Sequence, residues 1–512
     1  MNIGEPLSYH PTGLRKHTHI CKVMKAGILV ICILSSCIAS GQTFNVNIDV
    51  DGNVQGLHDI LSIEDKLFCA GWNHDFGTSQ YEMVVGFQED GELLWNNNVG
   101  NPAYVHTETY LADITNGRFV LFGNQDPDPV ENPNNNDILV VVLDTTGAII
   151  SENSYGRSDK AEIVRSAVYS SDTLYITGFY FDTSWAGNTE ILLWSFSPTG
   201  DSLSLHTYGH PDYDFIGNKI IRAQNGDFLI AGFARGVVDR DRLLLRIAPN
   251  GDLLWYEIYE GDYYPSGSYD AFMDLLELED GSILLAGRFS DYAQQDANLV
   301  KVSVDGEVIW DITFGGGDND WFEAMYERND TLFLGGNWRS DFPSGEIDAW
   351  VMALDTAGNT LWSHTYNPDG VPDNEANDYL YDFTLTSDGG MAFCGWSSRE
   401  TQDAWIMKLD GNGLCDTASC FPDLVGITPQ VLTGMPTPRI FPNPASDYLT
   451  IQNSVGDALT WTFYNQLGQV VLQTSSNGQI SIIDINQLQG GGYIVRATDS
   501  KGIRFAGYLL IE

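Results

Sequence analysis

A glycine closes an apolar, strand-like run seven times along this chain, at Gly71, Gly123, Gly178, Gly232, Gly287, Gly336 and Gly395, at intervals of 49 to 59 residues. The same order of features surrounds each copy: a strand, a tight turn, a second strand ending in the glycine, a variable loop, a third strand, another tight turn and a fourth strand. One copy reads FMDLLEL (272–278), EDG, SILLAGRF (282–289), SDYAQQ, DANLVKVSV (296–304), DG, EVIWDITF (307–314). The third strand opens on an acid each time: Glu82, Asp137, Glu190, Asp241, Asp296, Asp348 and Asp403. The turn before the fourth strand carries Gly91, Gly147, Gly200, Gly251, Gly306, Gly358 and Gly413, and in four copies a tryptophan follows it: Trp95, Trp255, Trp310 and Trp362.

Four short antiparallel strands cannot bury both faces alone, so each unit must pack on its neighbours around a ring. The pattern therefore predicts an all-β, seven-bladed β-propeller over residues 42–415. The seventh copy lacks a fourth strand after Gly413, while QTFNVNID (42–49) reads like the fourth strands LWNNNVG and LWSHTYN. Residues 43–49 are thus expected to complete the seventh blade and leave no unpaired edge.

That strand order puts the second-to-third-strand loops and the blade-to-blade links on one face, and the tight turns on the other. Variable sequence concentrates on the first face, as 124–136, 261–267, 315–322, 339–347 and 367–378. Variable loops on a rigid frame are where recognition usually sits. The ligand-face candidates are the aromatic and acidic residues Tyr263, Tyr264, Trp321, Trp338, Asp373 and Glu375. They point to noncovalent binding of a glycan or protein, against the alternatives of a polysaccharide hydrolase or lyase using loop carboxylates from different blades and of a passive structural surface protein.

No catalytic residue is assigned: the chain has no G-x-S-x-G, H-E-x-x-H or P-loop. Acids that recur in every blade read as strand-cap acceptors, and the tryptophans as packing between blades. No cofactor is required. The candidate calcium ligands are alternating oxygens beside glycines, at Asp49, Asp51 and Asn53 and at Asp318 and Asp320. The net charge of -44, from 69 acidic and 25 basic residues in 512, opposes binding to nucleic acid or an anionic membrane.

Met24-Lys25, the apolar run AGILVICIL (26–34) and the small residues before Gln42 have the layout of a secretory signal peptide cut ahead of Gln42. The run is too short to span a bilayer, so no integral membrane protein is expected. Residues 1–41 form the signal region, with Met24 an alternative start; the LSSC run offers acylation at Cys37 instead. Cys415 and Cys420 flank DTAS and could close a small disulfide loop in an oxidising compartment, whereas Cys69 and Cys394 lie inside apolar strands as buried thiols.

Residues 416–438 lose the repeat and gain prolines, as a linker would. The tail then reads RIFPNPASDYLTIQ, YNQLGQVV and IDINQLQGGGYIVRA, with Pro442, Asn443, Pro444, Gly468, Gly492 and Tyr493 as its marks. Over 439–512 it resembles the type IX secretion C-terminal sorting domain of Bacteroidetes, subtype A. The resemblance implies a small immunoglobulin-like β-sandwich, the type IX machinery as partner, and release or attachment at the cell surface.

Overall fold

The computed structural model describes residues 43–415, apart from 49–53, 75–79, 115, 128–134, 158, 183–187, 238, 262–268, 292–293, 317, 340–345, 367–375 and 399–401. In the tail it describes 439–441, 448–452, 458–464, 470–476, 480–488, 491–499 and 502–511. The signal region, Cys37, Gln42 and the 416–438 linker lie outside the described residues. Every regular element described is a β-strand. Seven four-stranded antiparallel sheets follow one another: blade 1 from Val54 to Val99, blade 2 from Val105 to Tyr155, blade 3 from Lys160 to Tyr208, blade 4 from Asp214 to Tyr259, blade 5 from Ala271 to Phe314, blade 6 from Trp321 to Tyr366, and blade 7 from Asp378 to Leu409.

The first strands of neighbouring blades contact one another around the ring and so form its inner wall. Second and third strands are near-continuous buried runs, such as Ile138–Leu143, because both their faces meet a neighbouring blade. Fourth strands alternate exposed and half-buried residues, as in Leu93–Val99, because they form the rim.

Blade 7 supplies only three strands of its own. Its fourth is Phe44–Ile48, antiparallel to Asp403–Leu409 with Phe44 opposite Lys408 and Ile48 opposite Ala404. The Trp405 indole donates to Asn45 Oδ1 at 2.7 Å. The expected closure is present over these five residues; Asp49 lies outside the described residues.

The recurring second-strand glycine has a steric cause. In each blade the first strand breaks register once, for example between Leu57 and Asp59, between Gly217 and Lys219, and between Leu380 and Asp382. The bulge pushes a first-strand carbonyl at the second strand, so a Cβ on Gly71, Gly178, Gly232, Gly287, Gly336 or Gly395 would overlap the carbonyl oxygen of Gly56, Ile163, Ile216, Ala271, Trp321 or Tyr379 respectively. Blade 2 differs: its break spans two residues between His106 and Thr109, and Gly123 faces the Glu82 side chain instead.

Side chains tie each blade to the next. Tyr155, Tyr208, Tyr259 and Tyr366, at the ends of fourth strands, donate to the carbonyls of Gly200, Gly251, Gly306 and Gly413 in the following blade's tight turn, at 2.8 to 2.9 Å. The Trp95 indole donates to Thr145 O at 3.2 Å, in line with the interblade role read for the repeat tryptophans. Asn124 and Asn337 each accept from and donate to the backbone of one residue in the next first strand, Val164 and Leu380, imitating a strand partner. Among the recurring acids, Asp241 Oδ1 accepts from Gly261 N at 3.2 Å, at the end of its own fourth strand, which is a cap.

The tail forms a three-stranded sheet (Arg439–Phe441, Tyr448–Gln452, Ile480–Asp484) and a four-stranded sheet (Val470–Ser476, Leu459–Tyr464, Gly491–Asp499, Gly502–Ile511). Leu449, Ile451 and Ile483 of the first sheet share one core with Trp461, Phe463, Val495 and Ala497 of the second. Tyr493 is buried in that core and Gly492 lies beside it in the same strand; Pro442, Asn443, Pro444 and Gly468 lie outside the described residues. Cys415 is disulfide-bonded, and Cys420 lies outside the described residues. Cys69 and Cys394 are free, fully buried and packed in the core that joins blades 7 and 1.

Candidate ligand face at the channel mouth

A bulge takes one residue of each first strand, or two in blade 2, out of alternation, near the end of the strand that faces the variable loops. The seven bulge positions carry His58, Glu108, Arg165, Asn218, Met273, Glu323 and Tyr381. The residue after each second-strand glycine lies at the same level: Trp72, Asn124, Phe179, Phe233, Arg288, Asn337 and Trp396. Asn124, Asn218 and Asn337 are buried and bonded to the backbone of the next blade; the others are half-buried, so a symmetric frame presents an asymmetric set of side chains, which is what recognition of an asymmetric ligand requires.

Aromatic rings run unbroken across blades 1, 7 and 6. His58 lies 4.7 Å from Trp72 and 4.4 Å from Tyr381 between ring centroids. Tyr379 is 6.3 Å from Tyr381, stacks on Trp396 at 4.5 Å, and is 6.2 Å from Trp321. All six side chains are half-buried, neither sealed in core nor free in solvent. The Trp396 indole donates to the Tyr381 hydroxyl at 3.2 Å, which fixes both rings. Burial lowers the His58 pKa to about 4, so its ring is neutral at physiological pH. Burial raises the Tyr381 hydroxyl to about 12.

Charged groups occupy the rest of the mouth. Glu108 accepts from the Tyr110 hydroxyl at 3.3 Å and lies 3.4 Å from Arg165 Nε. Glu323 accepts from the Trp321 indole at 2.6 Å. Burial lifts the Glu323 pKa to about 7, against the opposing pull of Arg288, so this carboxyl exchanges its proton near neutrality.

Deeper in the ring, acids brace the blades. Asp59, Asp274 and Asp382 accept the backbone N–H of Leu111, Met325 and Ile60, each in the next blade, at 2.9, 2.7 and 3.2 Å. Lys219 Nζ stands 3.5 Å from Asp274. The Asp59 and Asp382 carboxyls also hydrogen-bond one another across the blade 7 to blade 1 seam, and burial raises both pKa values. The pair holds a proton that the unfolded chain releases near pH 4. Its stabilising contribution is therefore complete at low pH and lost as pH rises through the pair's own titration, at about 1.4 kcal/mol per unit of separation. Asp382→Asn, a mimic of the protonated acid, is expected to melt above the unsubstituted protein at pH 8 and to flatten the fall in melting temperature between pH 5 and 8. Thermal melts across that range check this, and an unchanged slope would refute it.

Of the ligand candidates read from the sequence, Trp321 joins the aromatic arc. Trp338 instead packs edge-on against buried Trp350 at 5.2 Å and serves the core of blades 5 and 6. Tyr263, Tyr264, Asp373 and Glu375 lie outside the described residues, as do Asp49, Asp51 and Asn53. Asp320 is fully buried, and its two oxygens accept from Gly316 N at 2.7 Å and Arg339 N at 2.8 Å, a loop tie that engages both; Asp318 is half-buried beside it. The inner-strand residues escape a sequence reading because a bulge is not visible in a hydropathy pattern.

Comparison with known proteins adds three findings. Residues 439–508 match the secretion system C-terminal sorting domain. A 75-residue stretch is 32% identical to an endo-acting ulvan lyase of Formosa agariphila, 14% of either chain, so this protein spans only a small part of that relative. Solved structures with a similar arrangement include the β-propeller domain of the Trilobed protease from Pyrococcus furiosus (11% identity, 70% of this chain and 96% of that one, TM-score 0.38) and the polysaccharide lyase Uly1 (9% identity, 73% and 98%, TM-score 0.42). No helix among the described residues is long and apolar enough to cross a membrane. The chain is a seven-bladed β-propeller whose C-terminal segment is a type IX secretion sorting domain, the mark of a protein exported by that machinery to the cell surface or beyond.

Proposed function

We propose that the exported propeller binds a polysaccharide noncovalently at the mouth of its channel. The observation that carries this reading is the continuous, half-exposed arc of Trp72, His58, Tyr381, Tyr379, Trp396 and Trp321. Pyranose rings present flat C–H faces that stack on aromatic rings, and a hydroxyl rim that hydrogen-bonds to carboxylates such as Glu108 and Glu323. Rings already fixed by mutual packing lose little freedom when a ligand docks, which favours binding.

A panel of polysaccharides in affinity electrophoresis tests the reading. Tyr379→Ala and Trp396→Ala are expected to weaken retention at least about tenfold, roughly 1.4 kcal/mol, with circular dichroism showing that the fold persists. Unchanged retention in both variants would refute the arc as the site. A hydrolase or lyase is the second reading, favoured by Glu323, whose pKa of about 7 suits it to proton transfer at neutral pH. Shortened glycan products in the same incubations would select it over simple binding.

A further inference from the structure

The seam between blades 1 and 2 departs from the sevenfold pattern with a buried acid and a buried histidine. In blades 2, 3 and 5 the acid opening the third strand, Asp137, Glu190 or Asp296, lies against the glycine that follows its own fourth strand, Gly156, Gly209 or Gly315. Glu82 turns instead into blade 2, where its Oε1 lies 2.6 Å from the point a Cβ on Gly123 would occupy. His106 makes the reciprocal move into blade 1: its ring lies against Gly100, with Cε1 2.5 Å from the point a Cβ there would occupy. The two-residue break after His106 leaves Gly123 without the first-strand carbonyl that opposes its counterparts, which makes room for the carboxyl.

Both side chains are fully buried. His106 Nε2 donates to Asn101 O at 2.8 Å, since a carbonyl only accepts, and this leaves the Nδ1 lone pair facing Glu82 Oε1 at 3.5 Å. Neither oxygen of Glu82, nor His106 Nδ1, nor the hydroxyl of Thr109 opposite Gly123 has a hydrogen bond among the described residues. The titratable groups facing the pair are His74 on the second strand of blade 1, and Glu108 and Glu152 on the first and fourth strands of blade 2. Burial, helped by the charge of Glu108, holds the Glu82 carboxyl well above the usual carboxylate range, and burial holds the His106 ring below the usual imidazole range. Two acceptors this deep need a proton between them.

We propose that Glu82 and His106 form a pH-sensitive latch between blades 1 and 2, closed by one proton held between Oε1 and Nδ1. When a base in solution takes that proton, a carboxylate and a lone pair face each other away from water, and the interface loosens. The strand released is Val105–Asp113, which carries Glu108 to the channel mouth two residues after His106. In the unfolded chain the acid titrates at about 4.3 and the histidine at about 6.5. Between those values the folded and unfolded states each hold one proton, so the latch adds no pH dependence. Above about 6.5 the unfolded state holds none, and stability falls as pH rises until the latch itself has titrated, by at most about tenfold in the folding constant per pH unit. Below about 4.3 the unfolded state holds two, and stability falls as pH falls.

Glu82→Gln replaces the acid by an amide that donates to Nδ1 at any pH, so it keeps the latch closed. Calorimetric unfolding of the intact protein at pH 7, in buffers of different ionisation enthalpy, counts the protons released. The unsubstituted protein should release about one proton more than Glu82→Gln. Hydrogen–deuterium exchange, corrected for the intrinsic pH dependence of amide exchange, locates the opening in the unsubstituted protein itself. Exchange across Val105–Asp113 should accelerate at least about tenfold from pH 6 to pH 9 relative to Ala271–Glu277, the first strand of blade 5, and Glu82→Gln should abolish the acceleration. Equal proton release by the two proteins would overturn the latch, as would exchange across Val105–Asp113 that keeps pace with blade 5 over that range.

Discussion

Removal of the residues through Ile48 is expected to unfold the propeller, not merely to shorten it. Among the described residues, Phe44–Ile48 is the strand that serves blade 7 as its fourth. Its loss exposes the whole outer edge of Asp403–Leu409 and removes the buried side chains of Phe44 and Ile48 from the core around Leu57, Phe87 and Ile406. Each of those two side chains contributes about 1.5–3 kcal/mol by burial, and the lost ladder about 1 kcal/mol per hydrogen bond. Set against a net stability of roughly 5–15 kcal/mol for a folded domain, the deletion consumes most or all of it. The bare edge would also invite pairing between molecules. Far-ultraviolet circular dichroism and size exclusion check this, with Phe44→Ala as a milder variant expected to cost about 3–5 kcal/mol. A truncated protein that stays monomeric and melts like the intact one would show that the ring does not depend on this closure.

Deletion of residues 439–512 carries the second large effect. The tail has its own core of Leu449, Ile451, Trp461, Phe463, Val495 and Ala497, with the Trp461 indole bound to Ser476 Oγ at 2.8 Å, and each propeller blade completes its four strands without it. The shortened protein is therefore expected to fold with the same melting temperature as the intact propeller but to accumulate in the periplasm. Cell fractionation and surface protease accessibility measure this. Surface delivery equal to that of the intact chain would refute the role of the tail in export; periplasmic material that is unfolded would refute its independence from the propeller.

Much of the fold was legible because the repeat is a steric record. A glycine at Gly232 or Gly395 recurs because a first-strand carbonyl comes too close for any Cβ, and tight-turn glycines such as Gly251 and Gly306 recur because φ there is near +89° and +88°. Both demands act on single residues, so they appear in a linear reading. The missing strand of blade 7 was legible by the same arithmetic, since a ring has no place for three strands beside six sheets of four.

The candidate site was legible only in part. Trp321 could be chosen as an aromatic in a variable loop, and the same reasoning chose Trp338, which is equally half-buried but stands against Trp350 at the edge of the blade 5 and 6 core and not in the arc. His58, Tyr379, Tyr381 and Trp396 sit in strands that read as ordinary core, and Glu108, Arg165 and Glu323 as ordinary surface. The one signal that could have found them is position: each bulge residue lies 13 to 15 residues before its second-strand glycine, from His58 and Gly71 to Tyr381 and Gly395. That offset is not constant, so even an alignment of the seven copies on the glycine spreads these residues over three neighbouring columns, in which charged, polar and aromatic residues replace one another from blade to blade.

The sequence by itself determined the repeat count, the closing strand, the strand-rich tail and the overall acidity, because each follows from local sterics, period or composition. Only the tertiary structure decided which residues meet. Closing the ring brings His58 of the first blade against Tyr381 of the last, more than 300 positions away. Periodicity records the demands each blade makes on itself, and a ligand face is made by the differences between blades once a circle has brought them together.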